Sequence, residues 1–403
     1  MIYATSRHAV IIGAGIAGLT VAMFLRKAGF TPEIYECHED MHDTGEPLII
    51  APNGMYVLNE LGLSARVFEM GSVIEKNTFR NSRGKVLASY VNAHPNGMPS
   101  VSIARSSLIS ILTDSALNNG IAIHYGKRLK NISGSYGHRG VCALFEDGTI
   151  VKSDILVGAG GINSATRRIA FPESPMPAYT GLVNIGGFTD ASLIKRLEDH
   201  KTSVVSMGSE GYFGYSMAGI SNSRKIGWWV NLPIQEEIPA SELSEASKIK
   251  AHLLDIYKGW HEPVESIISN AEVIVKHNIF DLMDMPRWYG GRVVLIGDAA
   301  HAMIPHAGQG ASTAMEDGMY LAKLLRYNAT SSLVQIFEEY QHHRKSRVGK
   351  IVGLARRYGK PGRTTSGIRL AIRDFLMPSF MNLFGNHING WMYAYKIDWN
   401  SSR

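Results

Sequence analysis

The sequence has few cysteines, and their arrangement suits neither a metal centre nor a disulfide-stabilised fold. Among 403 residues only Cys37 and Cys142 are cysteines, and no C-x-x-C spacing occurs. These two residues exclude a disulfide framework and a cysteine-rich metal site, and they favour a reducing compartment. We therefore expect a cytoplasmic protein without a bound metal.

Long apolar runs are also missing, because no uninterrupted stretch reaches the roughly 18 residues that a membrane span requires. The segment AVIIGAGIAGLTVAMFL at 9–25 superficially resembles the apolar part of a signal peptide. Glycines interrupt it, however, and no small-residue cleavage site follows. We interpret this segment as a strand, a turn and a helix.

Acidic residues are absent from one basic segment near the C-terminus. The chain carries a formal net charge of +6, and residues 344–373 contain ten Lys and Arg but no Asp or Glu. Such a segment is typical of a solvated helical face, which we favour. The alternative is an anionic partner, and the apolar sequence FLMPSFMNLF at 375–384 leaves weak, salt-sensitive contact with a membrane surface open. Nothing indicates a nucleic-acid partner.

Hydrophobic periodicity predicts an α/β fold. Residues 8–36 read as strand, helix and strand, a βαβ unit that predicts a Rossmann-like parallel sheet with helices on both faces. Buried strands near 151–158 and 290–296 also enter glycine turns, so distant pieces should complete this sheet. Shorter alternating stretches predict an inserted antiparallel sheet. From residue 311 the pattern is helical to about 358, and the sequence GKPGRTTSG at 359–367 then breaks it.

These patterns predict a discontinuous arrangement of domains. The predicted parts are a cofactor domain at 1–71, 104–177 and 281–330, a substrate domain at 72–103 and 178–280, and a C-terminal helical region at 331–403.

A glycine turn follows the first predicted strand. Gly13-Ala14-Gly15-Ile16-Ala17-Gly18 opens a helix, and Glu36 ends the next strand. Gly13 permits the tight turn, Gly15 lets a pyrophosphate approach the backbone, and Gly18 allows close helix–strand packing. Glu36 can accept hydrogen bonds from a ribose. The pattern predicts a dinucleotide site, although it does not separate FAD from NAD.

A second strand–loop–helix element favours FAD. Asp298 follows a buried strand, and the loop Pro305-His306-Ala307-Gly308-Gln309-Gly310 leads into a helix at Ala311. An aspartate at a strand end can bond the hydroxyls of a ribityl chain. Backbone N–H groups and the positive helix end would then lie beside a flavin ring.

With VGAGGINSATRR at 157–168, these segments closely resemble the FAD-dependent aromatic hydroxylase family. This family comprises the single-component flavoprotein monooxygenases typified by p-hydroxybenzoate and salicylate hydroxylases, and the resemblance covers nearly the whole chain. It implies a Rossmann-like FAD-binding sheet and an inserted substrate sheet. It also implies that Arg105 reaches FAD from a helix start and that Leu129 lies where a backbone group meets the adenine.

Three positions depart from the family pattern. Gly160 replaces the aspartate of the middle motif, Pro47 stands where glycine is common beside the flavin ring, and Ser312 stands where asparagine is common. Because the family associates the middle motif with both FAD and NAD(P)H, the electron donor is open between NAD(P)H and a partner reductase.

The resemblance implies that an oxygen atom of O2 is transferred, through a flavin C4a-hydroperoxide, to an electron-rich aromatic, polyketide or terpenoid substrate. One alternative is an FAD-dependent reductase or dehydrogenase of the same fold acting on an isoprenoid or polycyclic compound. Another is a non-catalytic, flavin-bound protein that docks on membranes. A halogenase fits less well, since residues 228–233 read WWVNLP rather than W-x-W-x-I-P.

Some side chains allow two interpretations. His306 could exchange a proton near the reacting oxygen, because histidine titrates near neutral pH, or it could be a loop histidine without a chemical role.

An aromatic group in the predicted substrate sheet could line a pocket or belong to the core, and we expect alternate positions to divide between the two. This group comprises Tyr212, Phe213, Tyr215, Trp228 and Trp229.

Overall fold

The computed structural model describes residues 7–40, 46–92, 94–134, 140–197, 199–219, 225–239, 243, 245–282, 284–328, 330–359, 370–378 and 390–402. The strands are β1 (Arg7–Ile12), β2 (Phe30–Tyr35), β3 (Pro47–Ile50), β4 (Ser72–Ile74), β5 (Lys76–Asn81), β6 (Val86–Val91), β7 (Ser100–Ala104), β8 (Ala122–His124), β9 (Leu129–Ser133), β10 (Val141–Phe145), β11 (Ile150–Ser153), β12 (Ile155–Gly158), β13 (Ala178–Asp190), β14 (Thr202–Met207), β15 (Tyr212–Met217), β16 (Lys225–Pro233), β17 (Ala271–Asp281), β18 (Tyr289–Gly290) and β19 (Val293–Leu295). The helices are α1 (Ile16–Lys27), α2 (Pro52–Glu60), α3 (Ser64–Met70), α4 (Arg105–Asn118), α5 (Ala165–Ala170), α6 (Ala246–Ile256), α7 (Val264–Ser269), α8 (Asp298–His301), α9 (Gly310–Tyr327), α10 (Leu333–Gly359), α11 (370–378) and α12 (Gly390–Tyr393). Residues 360–367 of the predicted break lie outside the described residues.

One sheet has the order β18-β19-β12-β1-β2-β8, and its neighbouring strands are parallel except for β18 and β19. Strands β12 and β19 are buried along their whole length, as expected for a parallel sheet that is covered on both faces. Helix α1 contributes buried side chains such as Leu19 and Phe24, each worth about 1.5–3 kcal/mol of hydrophobic stabilisation. The predicted α/β fold, with its parallel sheet assembled from distant segments, is confirmed.

A seven-stranded sheet has the order β17-β13-β16-β15-β14-β5-β6. It was predicted to be antiparallel, and this holds for every pair except β14 and β5, which run parallel. The exception arises because β5 and β14 are far apart in sequence, so no hairpin fixes their relative direction. Strand β7 instead pairs with β3 on one side and with β4 on the other, in a small separate sheet. The boundaries of the predicted domains stay a proposal.

The aromatic side chains of the seven-stranded sheet divide between its two faces, as predicted. Phe213, Tyr215 and Trp228 are buried in the core that this sheet forms with α6 and α7. Tyr212 and Trp229 are only partly buried and belong to the opposite face, where the side chains of β16 and β15 alternate away from that core. This second face borders the candidate site.

The basic segment at 344–373 is not simply a solvated helical face, so this expectation was wrong in part. Arg344 is 0% exposed and Arg347 is 9% exposed, because both pair with acidic residues of α9. Arg356 pairs with Asp281 at 3.0 Å. Among the described residues, no helix is both long enough and apolar enough to cross a membrane.

Candidate flavin site and active site

Three glycine turns lie side by side at one edge of the parallel sheet. They follow β1, β12 and β19, which are neighbouring strands, at Gly13, Gly160 and Gly297. Because the carboxyl ends of parallel strands meet at one edge, sequence segments almost 300 residues apart form a single crevice. Ligands of open α/β sheets bind in such a crevice.

The first turn has the backbone geometry that its glycines were expected to supply. Gly13 has a φ of +111°, and a Cβ there would lie 2.6 Å from the Ala159 carbonyl oxygen. A Cβ on Gly18 would lie 1.9 Å from the Gly13 carbonyl oxygen. At Gly15 no atom lies within 4 Å of the Cβ position, so space is open in front of the α1 N-terminus. This space and the positive helix end suit a pyrophosphate.

Glu36 is held beside this turn as an ionised carboxylate. Its Oε2 accepts a hydrogen bond from the Ala14 amide at 2.8 Å, and its Oε1 accepts one from the His38 amide at 3.0 Å. Burial alone would raise the pKa of Glu36, but these hydrogen bonds outweigh it and lower the pKa. Ile16 is buried and Ala17 is partly buried, so these two residues help to seat α1.

Leu129 and Arg105 are the two site residues implied by resemblance alone. Leu129 is buried at the start of β9, and the nearby Lys127 amide donates to the Glu36 carbonyl at 2.7 Å. Arg105 is exposed at the start of α4, and its amide donates to the Glu46 carbonyl at 2.9 Å. Contacts of either residue with FAD stay a prediction.

Asp298 is exposed at the start of α8, where its carboxylate can reach a ligand. The preceding Gly297 has a φ of +58°, which favours glycine, and its amide donates to Asp317 Oδ2 at 2.9 Å. Arg167 of the middle motif donates from Nη1 to the Ala299 carbonyl at 3.0 Å. The turn is therefore fixed from two sides while Asp298 stays available.

The loop before α9 leaves open space and an unsatisfied donor. Gly308 is left-handed with a φ of +59°, and no atom lies within 4 Å of the Cβ positions of Gly308 and Gly310. Gln309 is buried, its Oε1 accepts from Asn53 Nδ2 at 2.9 Å, and its Nε2 has no partner among the described residues. Pro305 is exposed and Ala311 is partly buried. An acceptor-rich ligand edge fits this loop at the positive end of α9.

A buried ionic cluster holds the turn at Gly297 and the loop before α9 against α10. Arg344 donates to Asp317 Oδ1 and to Glu316 Oε2, each at 2.7 Å, and Arg347 donates to Glu316 at 2.8 and 2.9 Å. Asn53 donates to Glu316 Oε1 at 2.7 Å. Burial alone would raise the pKa of Asp317, but His301 and Arg344 outweigh it and lower the pKa. We call Glu316, Asp317, Arg344 and Arg347 the ionic cluster.

A row of polar side chains on the seven-stranded sheet faces the loop before α9. Asn184 Nδ2 donates to Asn231 Oδ1 at 2.7 Å, and Asn231 Nδ2 donates to the Tyr212 hydroxyl at 2.6 Å. Asn231 Nδ2 also lies 3.3 Å from His306 Nε2, and the Tyr212 and His306 rings meet edge to face at 6.1 Å. We call Asn184, Asn231 and Tyr212 the polar row. It links the loop at 305–310, which we call the flavin loop, to the sheet that we predict to bind substrate.

Pro47, one of the departures from the family pattern, is accommodated by glycines in this sheet. A Cβ on Gly227 would lie 2.6 Å from Pro47 Cβ, and one on Gly186 would lie 3.7 Å from Pro47 Cδ. In the same way, a Cβ on Gly214 would lie 2.4 Å from the ring of Trp229. Glycines in three neighbouring strands thus let Pro47 and Trp229 lie close against the sheet.

Sequence reasoning missed Asn184, Asn231 and the acidic partners of the ionic cluster. A signal existed for Glu316 and Asp317, because two adjacent carboxylates within an apolar helix require buried partners. The spacing of Arg344 and Arg347 places both side chains on one helix face. For the two asparagines, only the strand register brings them together.

Comparisons with known proteins place the chain among FAD-binding proteins. A profile of the family described as "FAD binding domain" matches residues 7–355. Aurachin C monooxygenase/isomerase from Stigmatella aurantiaca is 29% identical over 93% of this chain and 94% of its own length. Salicylate hydroxylase from Pseudomonas putida is 29% identical over 85% of this chain and 82% of its own length. The structure of Klebsiella pneumoniae HpxO complexed with FAD and uric acid has a TM-score of 0.80 at 24% identity, covering 94% of this chain and 95% of that one.

The fold and the crevice define a flavoprotein with a Rossmann-like cofactor sheet and a second sheet facing it. The chain belongs to the FAD-binding family that contains the FAD-dependent aromatic hydroxylases. The predicted resemblance, the FAD cofactor and the enzyme class are therefore confirmed.

Proposed function

We propose that this chain inserts one oxygen atom of O2 into an electron-rich aromatic or heteroaromatic substrate, with NAD(P)H as electron donor. In the balanced reaction a substrate C–H bond becomes C–OH, the second oxygen atom leaves as water, and NAD(P)H supplies two electrons. The observation that carries the proposal is the contact between His306 and Asn231, which joins the flavin loop to a partly buried polar row. The names of the relatives, which act on salicylate, urate and 6-hydroxynicotinate, support the substrate class.

The proposed cofactor residues follow the crevice from end to end. The turn from Gly13 to Gly18 and Glu36 would hold the pyrophosphate and the ribose of the adenosine half, with Leu129 and Arg105 as further contacts. Asp298 bonds the ribityl chain, and the loop at 305–311 borders the ring. When bound, FAD supplies the reaction with O2 and the transfer of oxygen.

The protein's own tasks are orientation and the exclusion of water. Pro47 and Trp229 pack closely against the sheet that carries the polar row. Burial raises the pKa of Tyr212, so its hydroxyl stays protonated, and burial lowers the pKa of His306, so its ring stays neutral at pH 7. Both side chains can therefore orient a substrate through hydrogen bonds without adding charge.

Two alternative functions differ from oxygen insertion in whether an oxygen atom of O2 is added to the product. A reductase or dehydrogenase of this fold would oxidise NAD(P)H or substrate without adding oxygen to the product, and a non-catalytic flavoprotein would show no substrate-dependent turnover. Measuring oxygen consumption together with product mass, over a panel of phenolic and polycyclic compounds, separates these functions from oxygen insertion.

Gly160 offers a direct test of the electron donor. Its backbone is not left-handed, and the three atoms nearest to a Cβ there belong to Ser164 at 3.5–3.8 Å, an ordinary van der Waals distance, so an aspartate fits. Ser164 already caps α5 by accepting from the Arg167 amide at 3.1 Å. We therefore expect Gly160→Asp to change the rate of flavin reduction by NADPH by less than about threefold.

Anaerobic stopped-flow reduction in the presence of substrate is the measurement. Gly161→Asp is the matched control, because Gly161 has a φ of +65° and strains any side chain. An acceleration of about tenfold or more in Gly160→Asp would contradict our expectation, because it would show that the missing carboxylate limits reduction. It would then favour a partner reductase for the natural protein.

Weak contact of the C-terminal region with anionic membranes is a further proposal. On α11, Ile372, Phe375 and Leu376 are 53%, 80% and 56% exposed and lie on one helix face. Four basic residues of the segment already have acidic partners, namely Arg344, Arg347, Arg356 and Arg373. We therefore expect partial flotation with anionic vesicles at low salt and none at high salt, whereas no flotation at either salt would contradict the proposal.

A further inference from the structure

The hydrogen-bonding capacity of the polar row is only partly used within the protein. Both amide hydrogens of Asn231 are engaged, one by the Tyr212 hydroxyl and one by His306 Nε2. The Tyr212 hydroxyl accepts from Asn231 and keeps its own hydrogen to donate. Asn184 donates through Nδ2, which leaves its Oδ1 as an acceptor. The row thus presents one donor and one acceptor to a ligand.

His306 adds a second donor, and the row determines which nitrogen carries it. Because Asn231 Nδ2 donates to Nε2, the proton of the neutral ring lies on Nδ1. His306 Nδ1 is buried and has no hydrogen-bond partner among the described residues. A buried N–H without an acceptor is costly, so its presence indicates that a ligand supplies one.

In the described part of the chain, the side chains of the polar row and of His306 have no charged hydrogen-bond partner. Burial is the cause of the pKa shifts of Tyr212 and His306, and no charged neighbour contributes to either. On one side of the row, His277 is paired with Glu46 at 2.8 Å. A carboxylate bound here would lose its hydration without gaining a counter-charge, which is unfavourable.

We propose that the polar row and His306 bind an uncharged aromatic through an amide- or lactam-type edge, with a carbonyl that accepts from His306 and Tyr212 and an N–H or O–H that donates to Asn184. This inference rests on the proposed function, because it places the occupant beside the flavin loop. It makes Tyr212, Asn231 and Asn184 determinants of specificity against aromatic acids.

Equilibrium binding to the oxidised holoenzyme tests this proposal without turnover. The probes are two matched pairs, 2-hydroxybenzamide with 2-hydroxybenzoate and 3-hydroxy-2-naphthamide with 3-hydroxy-2-naphthoate, titrated at pH 7.5 by the change in flavin absorbance. In each pair that binds, we expect the amide to bind at least about tenfold more tightly than the acid. Acids that bind as tightly as the amides, or no binding by either pair up to about 5 mM, would overturn the proposal.

Two variants identify the residues responsible. Tyr212→Phe should weaken amide binding by about 2–10-fold and leave acid binding unchanged. The matched control is Tyr179→Phe, whose hydroxyl donates to the Ile234 carbonyl at 2.7 Å elsewhere on the same sheet, and it should change neither. Asn184→Lys, by adding a cation, should reverse the preference toward the acids. An unchanged preference in both Tyr212→Phe and Asn184→Lys would overturn the assignment.

Failure of this proposal can be distinguished from failure of the proposed function. Preference for the amides without any oxygen insertion would contradict the proposed function alone. Oxygen insertion into acids that bind as tightly as the amides would contradict this inference alone.

Discussion

Replacing Glu316 with alanine is expected to lower the free energy of unfolding by about 3–5 kcal/mol, since it leaves buried Arg347 without its paired carboxylate and buried Arg344 with Asp317 alone. Glu316 is 1% exposed and pairs with Arg344 and Arg347, which are 0% and 9% exposed. Burial alone would lower the pKa of Arg344, but Glu316 and Asp317 raise it well above its ordinary value. Because a guanidinium group keeps its proton in proteins, deprotonation cannot relieve this loss. Urea denaturation followed by circular dichroism is the measurement.

The matched control is Glu339→Ala, which removes an exposed glutamate from α10 and should change stability by no more than about 0.5 kcal/mol. Glu316→Gln keeps the shape of the side chain and loses only its charge. Its loss of stability should therefore lie between those of Glu316→Ala and Glu339→Ala. Because Asn53 bonds both Glu316 and Gln309, Glu316→Ala should also weaken FAD binding. A loss of stability below about 1 kcal/mol would contradict the role of the ionic cluster.

Asp298→Ala should weaken FAD binding by about 1.5–3 kcal/mol, or roughly 10–150-fold in the dissociation constant, because a charge-assisted hydrogen bond to the cofactor is lost. The carboxylate is exposed, while Gly297 and Ala299 hold the turn through their backbones, so the fold should survive the change. Fluorescence titration of apoprotein with FAD measures the effect. Glu173→Ala removes another exposed carboxylate and should leave the dissociation constant unchanged. An unchanged constant in Asp298→Ala would argue against the assigned ribityl contact.

The cofactor crevice was largely predictable because its determinants are local. Gly13 is explained by a tight turn, Gly15 by open space, and Gly18 by its close approach to Gly13. Strand–turn–helix patterns of this kind can be recognised in a sequence. The parallel sheet followed from the same reasoning. The parallel pairing of β5 with β14 escaped it, because segments that are far apart in sequence can pair in either direction.

The ionic cluster was not predicted because its pairs are distant in sequence. Asn53 and Glu316 lie 263 residues apart, and Arg344 and Asp317 lie 27 apart on different helices. In sequence, Arg344 and Arg347 are indistinguishable from the basic residues around them. Only the packing of α10 against α9 shows that these two arginines are buried.

The polar row was missed for a related reason. Asn184 and Asn231 lie in stretches whose alternation identified strands, but alternation does not give the register between strands. Pro47 illustrates the same limit, because Gly227, which makes room for it, lies 180 residues away in sequence. The sequence alone showed that Pro47 departs from the family pattern. How neighbouring residues make room for it could be seen only in the structure.

Oxygen transfer is tested most directly by a single-turnover experiment under labelled oxygen. Holoenzyme reduced anaerobically and mixed with substrate and 18O2 should yield one product molecule per flavin, heavier than the substrate by one 18O atom. The label should be absent when the oxygen is unlabelled and the water carries 18O. Product without the label, or reoxidation that yields only hydrogen peroxide across the whole panel of phenolic and polycyclic compounds, would contradict the proposed monooxygenase function.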